Sequence, residues 1–153
     1  WGKHRNVFVL FFEVGMEDET VVNVISETGI REKIYTIRGI QVMLDSDLAK
    51  IYGYTTKAFN QQVKNNIDKF PEDFMFRLSE QEVLNSRSKN LTTIMQTKGG
   101  KGGRVYLPYV FTEQGIYMLM TVLKGELATK QSIALIRLFK QMRQYISDNA
   151  QLF

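Results

Sequence analysis

The chain of 153 residues has no cysteine, one histidine and two prolines. Without cysteine it has no disulfide, no thiolate nucleophile and no cysteine-ligated zinc, and we expect a reducing, cytoplasmic location. The histidine, His4, lies near the N-terminus, so neither a Ser-His-Asp triad nor a histidine-based metal site is expected. The carboxylates of Asp45 and Asp47 are explained by helix capping and the helix dipole. We therefore expect a protein without enzymatic activity, cofactor or metal.

Long hydrophobic runs are also missing. The apolar run VFVLFF at residues 7–12 has six residues, fewer than the roughly 7–15 of a signal-peptide core and the ~20 of a membrane span. We therefore expect neither a signal peptide nor a membrane segment. Met16 resembles a natural initiator, and we interpret residues 1–15 as vector-derived or upstream sequence.

Charge and composition favour a single folded domain with an anionic partner. Hydrophobic residues make up 44% and charged residues 24% of the chain, which is typical of a globular protein. Twenty Lys and Arg against 16 Asp and Glu give a formal net charge of +4. This mild excess agrees with a nucleic-acid partner but does not identify one.

The first half of the chain has the pattern of strands followed by two short helices. Residues 21–25, 33–37 and 40–44 are rich in β-formers, with a tight turn predicted at 38–39. Residues 45–47 supply an N-cap for a helix that ends at Gly53. Thr55 or Thr56 caps a second helix reaching Ile67, in which Phe59, Val63 and Ile67 form a buried stripe. This spacing is typical of a helix-turn-helix.

The second helix presents amides and lysines on its predicted outer face. Amide groups match the donor and acceptor pattern of adenine, and lysine meets guanine acceptors or phosphate. The alternative is an ordinary solvated helix face. The outward residues are Thr56, Lys57, Asn60, Gln61 and Lys64, with Asn65 at the edge.

A basic window follows a second capping signal. Residues 74–78 are predicted to form a strand, and Ser79 with Glu82 fits a capping box that begins a helix over 80–87. Residues 91–96 and 105–110 have strand-like composition and flank a glycine-rich segment, which predicts a basic β-hairpin. Lys98, Lys101 and Arg104 on its tip would contact phosphates as a wing does, unless the segment is only a solvated loop. Gly102 follows Lys101, so the segment does not match a phosphate-binding P-loop.

Two helices are predicted at the C-terminal end. Thr112 caps the first, which ends at Gly125, and the second covers residues 127–148. Alternating spacings of three and four residues give the last helix a narrow packing seam. This seam is either intramolecular core or a homodimer contact. It consists of Leu135, Leu138, Met142 and Tyr145, and Ile133, Ile136 and Phe139 lie off it.

Three blocks of the sequence resemble a known family of DNA-binding domains. They read IYTIRGIQVMLDSDLAKIYG, FNQQVKNNIDKFPEDFMFRLSEQE and RVYLPYVFTEQGIYML. In this order they resemble the open-reading-frame-six-N domain of phage and prophage regulators, in the KilA-N group, over residues 33–143. The resemblance implies a helix-turn-helix-like core at residues 48–67, with Lys57, Asn60, Gln61 and Lys64 as contacts. Members often have Arg where this chain has Asn65, and residues 1–30 have no counterpart.

We therefore predict an α+β, winged-helix-like domain over residues 31–153, preceded by a leader at residues 1–30. The predicted function is that of a phage- or prophage-type transcription regulator that reads duplex DNA, with possible homodimerisation through the C-terminal helix. The main alternative is an antirepressor-type module that binds a phage or host regulator protein and not DNA. A nuclease is a distant third, because clustered metal-binding carboxylates are missing from the sequence pattern.

Overall fold

The computed structural model describes residues 29–97 and 106–150, which form four strands and six α-helices. The predicted α+β class is confirmed, whereas the strand predicted at residues 21–25 lies outside the described residues. The strands are β1 (Ile34–Ile37), β2 (Ile40–Leu44), β3 (Met75–Arg77) and β4 (Tyr109–Thr112). The helices are α1 (Asp45–Tyr52), α2 (Thr56–Lys64), α3 (Glu80–Asn85), α4 (Lys89–Thr97), α5 (Glu113–Val122) and α6 (Glu126–Ala150).

The four strands form one antiparallel sheet in the order β1-β2-β4-β3. β1 and β2 are joined by the predicted turn at Arg38 and Gly39, whose φ angles are 56° and 72°. Two positive φ angles in a two-residue loop are typical of a hairpin turn that matches strand twist. β4 is the last strand in the chain but lies inside the sheet, between β2 and β3.

Alternate residues of the sheet face two separate hydrophobic layers, because side chains on a strand point to opposite sides in turn. Met43, Phe111 and Met75 are paired across β2, β4 and β3 and pack with α1, α2, α5 and α6. Leu44, Val110 and Phe76 form the next row and pack on the other side with α3 and α4. The sheet therefore separates the α1–α2 unit from α4.

The two short helices are joined as predicted. Gly53 has φ 79°, and the amide of Tyr54 donates to the carbonyl of Ala49 at 2.8 Å, which ends α1 with a left-handed glycine. Thr55 caps α2 by accepting from the amide of Ala58 at 3.1 Å. Phe59 and Val63 are buried against α1 and the sheet.

The predicted extension of α2 to Ile67 is wrong. α2 ends at Lys64, and Ile67 lies in a 3-10 turn (Ile67–Lys69) with 51% of its surface exposed. The side chain of Asn66 donates to the carbonyl of Gln62 at 2.9 Å. In a continuous helix the backbone amide of residue 66 would bind that carbonyl, so the Asn66 side chain replaces the helical hydrogen bond.

The predicted first arm of the basic hairpin is also wrong, because residues 91–96 belong to α4. Leu91 and Met95 lie four residues apart and are both buried in the layer under the sheet. Ser88 stabilises the start of this helix by accepting from the amide of Leu91 at 3.2 Å. The predicted second arm overlaps β4, which pairs with β2 and β3. Lys98, Lys101 and Arg104 lie outside the described residues.

α3, α5 and α6 confirm the remaining predicted helices, although α3 ends at Asn85 and not at residue 87, and α5 ends at Val122 and not at Gly125. Ser79 and Glu82 form the capping box at the start of α3. Thr112 caps α5 by accepting from the amide of Gly115, and Gly125 has φ 117° between α5 and α6.

Only part of the predicted seam on α6 lies in the core. Leu135 and Leu138 are buried, and so is Phe139, which was predicted to lie off the seam. Met142 is partly buried and Tyr145 is 61% exposed. The first half of the seam is therefore intramolecular, and homodimerisation through the second half stays a prediction.

A buried polar contact joins α6 to α1. Gln131 donates from Nε2 to the carbonyl of Ile51 at 2.9 Å, and the hydroxyls of Ser132 and Tyr52 lie 2.5 Å apart. Gln131 and Ser132 are fully buried. Buried polar groups without partners are costly, so these bonds specify how α6 sits on α1.

Candidate nucleic-acid interface

The outer face of α2 has the predicted orientation for most of its polar residues. Lys57, Gln61, Lys64 and Asn65 are exposed, and Thr56 is partly buried. Gln61 donates from Nε2 to Oδ1 of Asn65 at 2.8 Å, a pairing of residues four apart along the face. Because Phe59 and Val63 occupy the inner face, this polar surface is available to a ligand.

Asn60 differs from Gln61 because its partner is a buried residue of another helix, α1. Its Nδ2 donates to Oδ2 of Asp45 at 3.0 Å, and its side chain is only partly exposed. The contact holds the middle of α2 against the start of α1. Asn60 is therefore tied to the fold on one side, whereas the sequence predicted a fully outward residue.

Asp45 is a buried carboxylate, and its predicted capping role is only partly correct. The N-cap of α1 is Leu44, which makes no side-chain capping bond. Asp45 instead accepts the amide of Ser46 at 2.7 Å, Asn60 at 3.0 Å and the hydroxyl of Tyr106 at 3.4 Å. Burial raises the pKa of Asp45 above 3.8, and hydrogen bonds from Asn60, Ser46, Tyr109 and Tyr106 oppose that rise.

Tyr106, which donates to Asp45, is the first described residue after the basic segment at residues 98–105. The amide of Tyr106 donates to the carbonyl of Met95 in the last turn of α4 at 3.0 Å. Burial, together with the nearby charge of Asp45, raises the pKa of Tyr106 to about 12. The phenol therefore remains a hydrogen-bond donor at neutral pH. Tyr106, the first described residue after 98–105, therefore lies beside the Asp45–Asn60 contact.

Arg77, which no sequence pattern indicated as a binding residue, adds a cation near Tyr106. It donates from Nε to the carbonyl of Leu107 at 2.9 Å, and its guanidinium carbon lies 5.3 Å from the ring centre of Tyr109. Its positive charge partly opposes the rise in the pKa of Tyr106 that burial and Asp45 cause. Arg77 is exposed at the end of β3, which is one of the two edge strands of the described sheet.

Sequence reasoning missed the partnership of Asp45 with Tyr106. Sixty-one residues separate the two, and the contact depends on β4 lying beside β2. A carboxylate at the start of a helix is ordinarily assigned to the helix dipole, so nothing local indicated burial. The available signal was that Asp45 directly follows three consecutive apolar residues, Val42, Met43 and Leu44.

The described parts of the chain contain no group of three or more metal-ligating side chains. Within residues 29–97 and 106–150, no helix combines the length and the apolarity that crossing a membrane requires.

Comparison with known proteins identifies the domain. No curated protein and no solved structure matched the chain. The family model of the ORF6N domain, a phage-type regulatory domain in the KilA-N group, matches residues 32–122. This range includes β1 through α5 and therefore the Asp45, Asn60 and Tyr106 contacts. Since the match covers more than half of the sequence, the chain belongs to the ORF6N domain family.

Proposed function

We propose that the chain is a duplex-DNA-binding domain of a phage- or prophage-type transcription regulator, and a binding module rather than an enzyme. α2 enters the major groove, and basic residues of the 98–105 segment contact phosphates next to it. The observation that carries the proposal is the link from Asn60 on α2 through Asp45 to Tyr106, the residue that follows that segment in the sequence.

The chemistry of α2 supports base recognition. Gln61 and Asn65 carry side-chain donors and acceptors on the exposed face, and Lys57 and Lys64 lie on the same short helix. Amides suit adenine edges, and lysine suits guanine or phosphate. An exposed helix of nine residues that carries such groups fits a major groove about 12 Å wide.

Positive charge lies close to this face. Arg104 precedes Tyr106 by two residues in the sequence, and we propose it as a further cation of this group. Arg77 lies beside Tyr106 and Tyr109. A group of cations next to a reading helix favours binding of the phosphate backbone and releases counterions.

The test is a selection from random duplexes, followed by titration of the chosen duplex and a scrambled duplex at two salt concentrations. We expect a preference for the chosen duplex and an affinity that falls steeply with salt. Gln61→Ala should reduce the preference by about 1–3 kcal/mol if it removes a bidentate base contact. Weak, unselective retention at low salt, with a regulator protein competing for the chain, would favour the antirepressor alternative.

A lysine variant separates contact with phosphates from recognition of bases. Lys101→Ala should weaken binding to both duplexes alike and reduce the log–log salt slope by about 0.9. Lys140→Ala removes the same charge from an exposed position on α6 and serves as the matched control. An equal effect of the two changes on the salt slope would contradict a phosphate contact by Lys101.

A further inference from the structure

The contact between Asp45 and Asn60 fixes which way the Asn60 amide points. A carboxylate accepts hydrogen bonds and does not donate them when ionised, so Nδ2 and not Oδ1 faces Oδ2 of Asp45 at 3.0 Å. Reversing the amide would place two oxygens against each other. Asp45 is itself fully buried and held by the amide of Ser46 at 2.7 Å. The Asp45 carboxylate that accepts from Asn60 is therefore held in one position.

This orientation leaves a defined pair of groups for a ligand. The Nδ2 of asparagine has two hydrogens, and one of them is hydrogen-bonded to Asp45. When Asp45 accepts the hydrogen on the far side from Oδ1, the second hydrogen lies next to Oδ1, and a donor and an acceptor are presented side by side. No described residue donates to Oδ1 of Asn60, and the side chain is partly exposed.

We infer that Asp45 is a positioning residue that makes Asn60 read adenine at one base pair, an inference that rests on the proposed function. Adenine presents an acceptor, N7, beside a donor, N6, in the major groove, which is the complement of the remaining Asn60 groups. Guanine presents two acceptors there, and cytosine presents a donor without the adjacent acceptor. A fixed amide therefore rejects both, whereas a freely turning amide would discriminate less.

The test exchanges the two side chains in the double variant Asp45→Asn with Asn60→Asp. The internal hydrogen bond is retained in reverse, with Asn at position 45 donating to Asp at position 60. The residue on α2 then offers only acceptors, which match the N4 donor of cytosine. Duplex selection should show the preference at one base pair changing from adenine to cytosine by at least about tenfold, and other positions unchanged.

A matched control is available on α6. Gln144 donates from Nε2 to Oδ1 of Asp148 at 3.0 Å, which is another amide–carboxylate pair. Exchanging it as Gln144→Glu with Asp148→Asn keeps composition and charge comparable, and should leave every base preference unchanged. A purely structural role of Asp45 would change stability or overall affinity, but would not redirect preference at one base pair.

Single variants make the result decisive if the exchanged protein fails to fold. Asp45→Asn should broaden the preference at the same base pair, because two facing amides accept either orientation. Asn60→Ala, at a partly exposed position, should abolish the adenine preference there. Unchanged preference in every folded variant overturns the inference while leaving the proposed function intact. If the unmodified chain shows no selective, salt-dependent duplex binding, the proposed function itself fails.

Discussion

Gly115 lies where α5 passes the start of β3, and the space at this position excludes a side chain. A Cβ added to Gly115 would lie 2.1 Å from the carbonyl oxygen of Phe74. That oxygen is held in place, because the amide of Thr112 donates to it at 3.0 Å. Glycine is therefore required here for close packing of a helix on the sheet.

We expect Gly115→Ala to lower the free energy of unfolding by about 1–3 kcal/mol, because the backbone of β3 or α5 must shift to admit the methyl group. Urea denaturation measures this loss. Gln114→Ala, at the neighbouring exposed position, is the control and should change stability by no more than about 0.5 kcal/mol. Equal losses in the two variants would contradict the steric explanation.

Asp45 should lower the stability of the fold as pH rises, which is the opposite of the usual effect of a carboxylate. Its pKa in the folded chain is raised above 3.8, mainly by burial. Between 3.8 and the raised value the folded state binds more protons than the unfolded state. The contribution of this carboxyl to stability therefore decreases as pH rises through that window and is constant above it.

We expect the variant Asp45→Asn, which does not titrate, to gain stability relative to the unmodified chain as pH rises from 3.8. Denaturant unfolding of both proteins at several pH values measures the difference. Glu82 has the opposite shift, because the hydrogen bond from Arg38 lowers its pKa. The stability that Glu82 contributes is therefore lost as pH falls below 4.5. A difference that favours the unmodified chain as pH rises would show that burial of Asp45 does not dominate.

At the scale of elements, local signals predicted most of the fold. Gly53, the Ser79 capping box and the Thr112 cap each specify a helix end through contacts within a few residues, and all three were confirmed. Asn66 ended α2 earlier than the apolar spacing indicated. Spacing describes which face is buried, whereas side-chain competition for backbone groups decides where a helix ends.

α4 was mistaken for a strand because threonine and isoleucine dominate its middle. β-branched residues favour strands, but Leu91 and Met95 at helical spacing bury this element under the sheet. Burial of those two side chains outweighs a propensity difference of a few tenths of a kcal/mol per residue.

Thr93→Ala distinguishes a helix from a strand at residues 91–96, because it should raise the stability of a helix and lower that of a strand. Thr93 is exposed on α4, where alanine is the better helix former, so we expect stabilisation of up to about 0.7 kcal/mol. The matched control Thr36→Ala, at an exposed position of β1, should destabilise instead. Both changes are measured by thermal unfolding. Destabilisation by Thr93→Ala would favour the strand that the sequence predicted.

At the scale of the whole molecule, the candidate site depends on contacts that no local pattern encodes. The residues of α2 could be predicted because they lie on one helix face. The Asp45–Tyr106 contact could not, since it follows from the insertion of β4 beside β2. Sequence therefore predicted which groups are offered to a ligand, and the sheet order determines which of them are held together.

α6 lies beyond the family match, which ends at residue 122, yet it is part of the core. Leu135, Leu138 and Phe139 are buried, and burial of each stabilises the fold by about 1.5–3 kcal/mol. Their sum is comparable to the 5–15 kcal/mol total stability of an ordinary domain. We expect a chain ending at Val122 to lose its cooperative thermal transition, measured by circular dichroism.

A chain ending at Gln144 keeps these buried residues and is the control for that truncation. It should retain a cooperative transition, because Tyr145 and Ile146 are exposed. A cooperative transition in the shorter chain would show that β1 through α5 form a complete core without α6.

The inner position of β4 also has a consequence for biosynthesis. Among the described strands, β3 pairs with β4 alone, and β4 lies between β2 and β3. During synthesis on the ribosome, the β1–β2 hairpin and β3 therefore cannot join one sheet until Tyr109–Thr112 have been translated. Assembly of the sheet is therefore a late event in synthesis, after about two thirds of the domain has been translated.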